Sequence, residues 1–338
     1  MQVGRAIQNT GRAIAKGAHW LGERFTVNPR GTGWRLTRKV LLGAAVFVVL
    51  WYGVGMWVVH RIDDDPAFTF SQLDHESGGS RAVGIATALV RREVRVHDWV
   101  SNDPWFMPGV LNDNMQHYQQ GIMAAVYRFT SEMRDFLGRA RGSSGEDADL
   151  RDASGRLNYP SDIWYWNPGR NLLPQRNTES VYMEAADALR RYNMRVATGA
   201  AVFDRRADNL ADALDRISKD LGGSTANLFA MASEHPGWFL FDWRSDDTFY
   251  EAKGKAYAYY LILRELKDDF ERIIREKELG ATYGSVLDSL QAAIAIDPFV
   301  IVNGRLGSQF TPNHLAQLGF NLERARVQLR ELTAILRA

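Results

Sequence analysis

The run from Val40 to Val59 contains no charged and no strongly polar residue. As a helix rising about 1.5 Å per residue it is about 30 Å long, the thickness of a bilayer's hydrocarbon core. A helix in a soluble core usually keeps a polar face, and this run has none. A cleaved secretion signal has a shorter apolar stretch after a brief basic start, and ends at small residues. Here 39 residues precede the run, and His60-Arg61-Ile62-Asp63-Asp64-Asp65 follows it. Trp51, Tyr52 and Trp57 lie within it and Trp34 precedes it, the residue types that favour a membrane interface. The sequence therefore predicts a retained single-pass transmembrane helix over 40–60.

Charge gives the orientation. Residues 1–39 carry eight Lys and Arg against the single acid Glu23, a net +7. From residue 61 onward, 33 basic and 39 acidic residues leave a net −6. Basic flanks stay cytoplasmic, so the expected topology is a cytoplasmic amino terminus with residues 61–338 outside, in the periplasm of a bacterial inner-membrane protein. The absence of cysteine is compatible with an oxidising compartment. In the head, Ile7, Ile14, Ala18, Leu21 and Phe25 share a helical stripe, which suits an amphipathic helix on an anionic leaflet. Four glycines oppose helix there, so a basic tail that only sets topology is an equal reading. The segment has neither a nucleic-acid-binding module nor the length to build one, and no nucleic acid is expected.

Residues 61–80, rich in Asp, Ser and Gly, read as a linker, and 81–338 as a helical external domain. The apolar spacing beyond Arg81 is that of helices. Met115, Tyr118, Ile122, Ala125 and Phe129 mark one, and Tyr182, Ala185, Leu189 and Tyr192 another. Phe249, Lys253, Ala256, Tyr260 and Leu263 mark a third, with the Lys stem able to reach solvent past its apolar neighbours. Gly142-Ser143-Ser144-Gly145 opens a polar stretch through Arg156, read as a surface excursion. Leu315, Leu318, Leu322, Ala325, Leu329, Leu332 and Leu336 alternate steps of three and four, a bundle seam read as packing within the domain. Phe299-Val300-Ile301-Val302 precedes the turn dipeptide Asn303-Gly304, so one small β-hairpin is expected near 299–310. The predicted fold is all-α: one transmembrane helix, then a helical bundle with at most that ribbon.

No motif fixes a reaction. There is no P-loop, no G-x-S-x-G and no H-E-x-x-H, and thiol chemistry is excluded by composition. Glu93 and His97 stand four apart, a spacing read as a polar pair on one helix face. No metal and no cofactor are expected. Glu76-Ser77 is similar to the catalytic Glu-Ser of lytic transglycosylases, which cleave peptidoglycan glycan. Their downstream Gly-Leu-Met-Gln-type motif is missing, so Glu76 is read as a solvated linker acid and only a remote candidate general acid. Three aromatic loops draw more interest: His97–Gly109, Ile163–Pro168 and Pro236–Trp243. Their rings serve either as contacts or as plugs beneath the bundle, and for Trp105 the plug is expected.

The succession Asn102-Asp103-Pro104-Trp105-Phe106-Met107-Pro108, Asp113-Asn114-Met115 and Gln119-Gln120-Gly121 resembles a family of uncharacterised bacterial membrane proteins, domain of unknown function 2333. Tyr257-Ala258-Tyr259-Tyr260-Leu261, Val302-Asn303-Gly304-Arg305 and Pro312-Asn313-His314-Leu315 extend the likeness over most of the chain. It implies an anchored protein with a folded outer domain and supplies no catalytic residue. Two functions remain. One is a non-enzymatic envelope scaffold, held by membrane lipids and docking a protein partner, with Asn102, Asp103, Trp105, Phe106 and Met107 as its candidate contacts. The other is a peptidoglycan-acting enzyme or carbohydrate binder using an aromatic cleft. An enzyme requires a carboxyl with a displaced pKa in such a cleft.

Overall fold

The computed structural model describes residues 32–59, 62–71, 77–111, 113–137, 145–166, 169, 173–234 and 243–338. Residues 1–31 of the basic head, Glu76 and most of the Pro236–Trp243 loop lie outside the described residues, and the last eight residues of the head form the start of the first helix. Met1–Gly55 and Met56–Ala338 form separate units. Helix α1, Thr32–Val59, holds the apolar segment Trp34–Trp57, long and apolar enough to cross a membrane and buried nowhere along it. Leu36, Leu41, Phe47 and Val49 are all exposed on it, which in water is the costly arrangement and in lipid the favourable one.

Among the described residues, the second unit is built from helices. Its elements are α2 Arg81–Arg95, α3 Asp113–Glu132, α4 Ala148–Leu157, α5 Thr178–Ala197, α6 Ala207–Ser233, α7 Trp243–Asp269, α8 Glu271–Glu276, α9 Gly280–Ile294 and α10 His314–Arg337. Ser80, Asp147, Asn177 and Asn313 cap α2, α4, α5 and α10 by accepting from first-turn backbone N–H groups. Helices α3 and α7 meet backbone to backbone. A Cβ on Gly121 would stand 2.1 Å from the Glu251 carbonyl oxygen, and one on Gly254 2.1 Å from that of Tyr118. This contact buries Tyr118, Ile122, Phe129, Phe249 and Tyr257. The leucine seam of α10 is buried from Leu315 to Leu336 and packs on α6 and α9.

Two sequence expectations need correction. The polar stretch after Gly145 contains α4, whose Leu150, Ala153 and Leu157 are buried against α5. Arg195 of α5 fixes its start, donating to Asp147 at 2.7 Å and to Asp149 at 2.6 Å. The expected hairpin is, among the described residues, a single bridge between Asn303 and Asn313. The flanking asparagines are diverted to helix ends: Asn303 Nδ2 donates to the Met231 and Glu234 carbonyls closing α6, and Asn313 Oδ1 accepts from Ala316 N. Pro312 has no N–H to extend a ladder.

Residues 62–71 form an extended strap across α2, α3 and α7. Arg92 Nη2 and the Tyr118 hydroxyl donate to the Asp63 carbonyl at 3.1 and 3.2 Å, and the Tyr257 hydroxyl donates to that of Asp65 at 2.9 Å. Arg264 donates to the carbonyls of Pro66 and Phe68 at 2.6 and 2.7 Å. The Arg92 guanidinium lies 4.3 Å over the Phe68 ring. Lys253 does not reach solvent as its sequence context suggests. It is wholly buried, with Nζ 2.8 Å from Asp64 Oδ2 and 3.3 Å from Asp297 Oδ1.

Candidate functional site

Between α2 and α3 the chain follows a loop whose two ends do different work. Trp99 is buried: its Nε1 donates to the Ser161 carbonyl at 2.9 Å and its ring meets Tyr182 edge-on at 5.1 Å. Gln119 of α3 holds the same stretch, accepting from Val100 N at 3.2 Å and donating to the Asp98 carbonyl at 2.7 Å. Asp98 adopts φ 59°, the left-handed region that Asp tolerates better than most residues. Beyond Val100 the loop turns outward, and Trp105 is 78% exposed. The plug expected at Trp105 is therefore at Trp99, six residues earlier.

The outward end faces the loop before α5. Asn102, which is buried, joins the two by donating through Nδ2 to the Ile163 carbonyl at 2.8 Å and to Glu179 Oε2 at 2.7 Å. The facing loop is braced from within, since Gln175 N donates to the Tyr165 carbonyl at 2.9 Å and Thr178 N to that of Ile163 at 3.0 Å. Phe106 packs edge-on to Trp105 at 5.7 Å and to Trp164 at 5.6 Å. Together they enclose a cleft of about 580 Å³ with Asn102, Asp103, Trp105, Phe106, Trp164 and Trp166 among its walls, and Asp162 and Gln175 supplying polar groups.

Of the sequence candidates, Asn102, Asp103, Trp105 and Phe106 line this cleft and Met107 does not. Asp162, Trp164, Trp166 and Gln175 complete it. The tryptophans carried a signal in the aromatic loop at 163–168, whereas the acid and amide had none. Burial, reinforced by the charges of Glu179 and Asp98, pushes Asp103 up to about 6. Its carboxylate also turns towards its own loop, because a Cβ on Gly109 would fall 2.1 Å from Asp103 Oδ2. Asn102 Oδ1 is buried with no hydrogen-bond partner among the described residues.

A second titratable cluster lies on α2 and the strap. Glu93 is buried beside Arg92 at 2.9 Å, with His97 Nδ1 3.3 Å away, the polar pair that the spacing predicts. Asp63 completes this network, 3.6 Å from His97 Nε2. Its bond to His97 holds Asp63 down at about 2, against the effect of burial and with help from Arg92. Burial opposes charge on His97, and bonds to Asp63 and Glu93 outweigh it and raise His97 to about 9. On α3, His117 Nε2 lies 3.4 Å from Asp113 and 3.2 Å from Asp247.

The fold and cleft define a class: an all-α body with a ligand-sized aromatic recess, following one apolar helix. Comparison with protein families assigns it further. Residues 70–236 and 238–338 match the family described as an uncharacterised protein conserved in bacteria, domain of unknown function 2333, and the chain belongs to that family. No curated protein and no solved structure gives a significant match.

Proposed function

We propose that the protein is a membrane-anchored envelope protein, amino terminus cytoplasmic and body periplasmic, that binds glycan strands of peptidoglycan in the aromatic cleft without cleaving them. The charge asymmetry about α1 supports the topology. The cleft carries the binding: rings of Trp105, Phe106, Trp164 and Trp166 stand beside Asp162 and Gln175. Pyranose rings present flat C–H faces to aromatic rings, and their hydroxyls and acetamido groups hydrogen-bond to acids and amides. A recess of about 580 Å³ also fits a small ring-bearing ligand better than the broad flat contact of a protein partner. The test is retention of the purified protein on isolated sacculi. Wild type should be retained, and Trp164→Ala should lose retention while keeping its helical spectrum. A wild-type protein that passes through unbound would end the proposal.

One observation favours a second reading, in which Asp103 is a general acid. Asp103 lines the aromatic cleft and burial raises its carboxyl to about 6, which suits a proton donor to a glycosidic oxygen once that carboxyl turns from Gly109 into the recess. Release of soluble glycan fragments from the same sacculi, lost in Asp103→Asn, would establish it over simple binding.

A further inference from the structure

We infer that the loop between α9 and α10 rests on the membrane surface, inserting Phe299 and Phe310 among the lipids. The inference rests on the anchored reading above and adds a second point of contact to it.

The loop is built to display apolar groups. Phe299 is fully exposed and Phe310 93% exposed, with Val300 and Leu306 exposed beside them. Large side chains in a pliable loop fold back on their own domain, but this loop is held open. At its base Gly304 N donates to the Pro312 carbonyl at 3.0 Å, His314 N to that of Val302 at 3.0 Å, and Val302 N to His314 Nδ1 at 2.9 Å. Asn303 ties the base to the end of α6. At the tip Ser308 N donates to the Arg305 carbonyl at 2.9 Å across a turn that places Gly307 at φ 80°, the geometry of a type II turn. Ser308 Oγ then accepts from Phe310 N and Thr311 N, fixing Phe310 outward.

Chain length and charge select the bilayer as the occupant. The apolar segment of α1 ends at Trp57, and Asp64 follows seven residues later, a reach of at most about 25 Å. Asp64 is joined through the buried ammonium of Lys253 to Asp297, two residues before Phe299. One buried charge thus ties the loop's first residues to the strap that leaves the membrane. From Pro298 to Asn313 there is no acid, and the single charge is Arg305. Aromatic and aliphatic side chains around one cation suit an anionic headgroup layer.

The chain has no cysteine, so single labels can be placed without altering it first. Full-length protein in phosphatidylcholine–phosphatidylglycerol vesicles would carry a polarity-sensitive fluorophore at Phe299→Cys, Phe310→Cys, Leu173→Cys or Val46→Cys. Leu173 is 71% exposed in the loop before α5 and serves as the aqueous control. Labels at 299 and 310 should be quenched by headgroup spin-labelled lipid several-fold more than the label at 173. Quenching equal to that at 173, with the label at 46 quenched by acyl-chain spin labels, would overturn the loop contact and leave the anchor standing. A label at 46 untouched by acyl-chain quenchers would overturn both. Disulfides between 299 positions of two chains, without lipid quenching, would assign the face to a second copy and overturn the proposal.

Discussion

The Asp269 carboxylate, at the last residue of α7, accepts the Ser80 hydroxyl at 2.7 Å and so closes the N-terminus of a helix that begins 188 residues earlier. The same carboxylate accepts from Arg81 N and Ala82 N at 3.0 Å each. Ser80 itself is locked from the other side by Asn193, which accepts from its N–H at 2.7 Å and donates to its carbonyl at 3.0 Å. The junction thus fastens α2, α5 and α7 together where strap and body meet.

Removing that acceptor leaves two first-turn amides and a hydroxyl without a partner. Asp269→Ala should lower the stability of the body by about 2–3 kcal/mol, more than an ordinary cap, because its acceptor is charged. Ser80→Ala should cost about 1 kcal/mol, since Asp269 still reaches the two amides. Urea denaturation followed by circular dichroism measures both. Equal losses would mean that the hydroxyl, not the carboxylate, organises the junction.

The α3–α7 contact predicts opposite outcomes for two glycines. At Gly254 an added methyl meets a carbonyl oxygen of the neighbouring backbone, which cannot swing aside as a flexible side chain would. Gly254→Ala should destabilise by about 3 kcal/mol or more. Gly223 lies within α6 with open space around it, so Gly223→Ala should stabilise by roughly 0.5–1 kcal/mol through helix propensity alone. Unfolding midpoints moving in the same direction would contradict the packing.

The strap network sets a pH dependence. His97 is raised from 6.5 to about 9, so its stabilisation is complete below 6.5 and is lost as pH rises through about 9. Asp63 is lowered from 3.8 to about 2, so its share is complete above 3.8 and is lost as pH falls through about 2. The thermal midpoint should therefore decline between pH 6.5 and 9, and Asp63→Asn should flatten that decline. A decline unchanged in Asp63→Asn would place its cause outside the strap.

Periodicity made the long elements legible, because burial on one face imposes its own spacing. The α1 run and the leucine seam of α10 could be read for that reason. Helix α4 could not: three buried apolar residues among charges leave little pattern, and its start depends on Arg195 of another helix. At Asn303-Gly304 the local turn signal is real, yet the asparagine side chains are taken by helix ends that the sequence does not show to be near. The cleft was half legible. Its aromatic loops stand out, but their pairing depends on Asn102 reaching Ile163, a contact 61 residues apart. Asp162 and Gln175 belong to residue types found on any surface.

Trp99 and Trp105 look alike in sequence and sit in opposite environments, so truncating each gives a clean comparison. Trp99 is 3% exposed, with its ring on Tyr182 and its N–H on Ser161. Trp99→Ala should cost about 3–5 kcal/mol and unsettle the cleft with it. Trp105→Ala removes a ring that is mostly in solvent and should shift stability by no more than about 0.5 kcal/mol. If the cleft binds as proposed, that variant should weaken retention on sacculi by tenfold or more, since an exposed ring at a binding rim can contribute about 1.4 kcal/mol or more. The two readouts together decide its role. A folded Trp105→Ala protein with undiminished retention would remove the ring from the binding surface, and a large loss of stability would return it to the core.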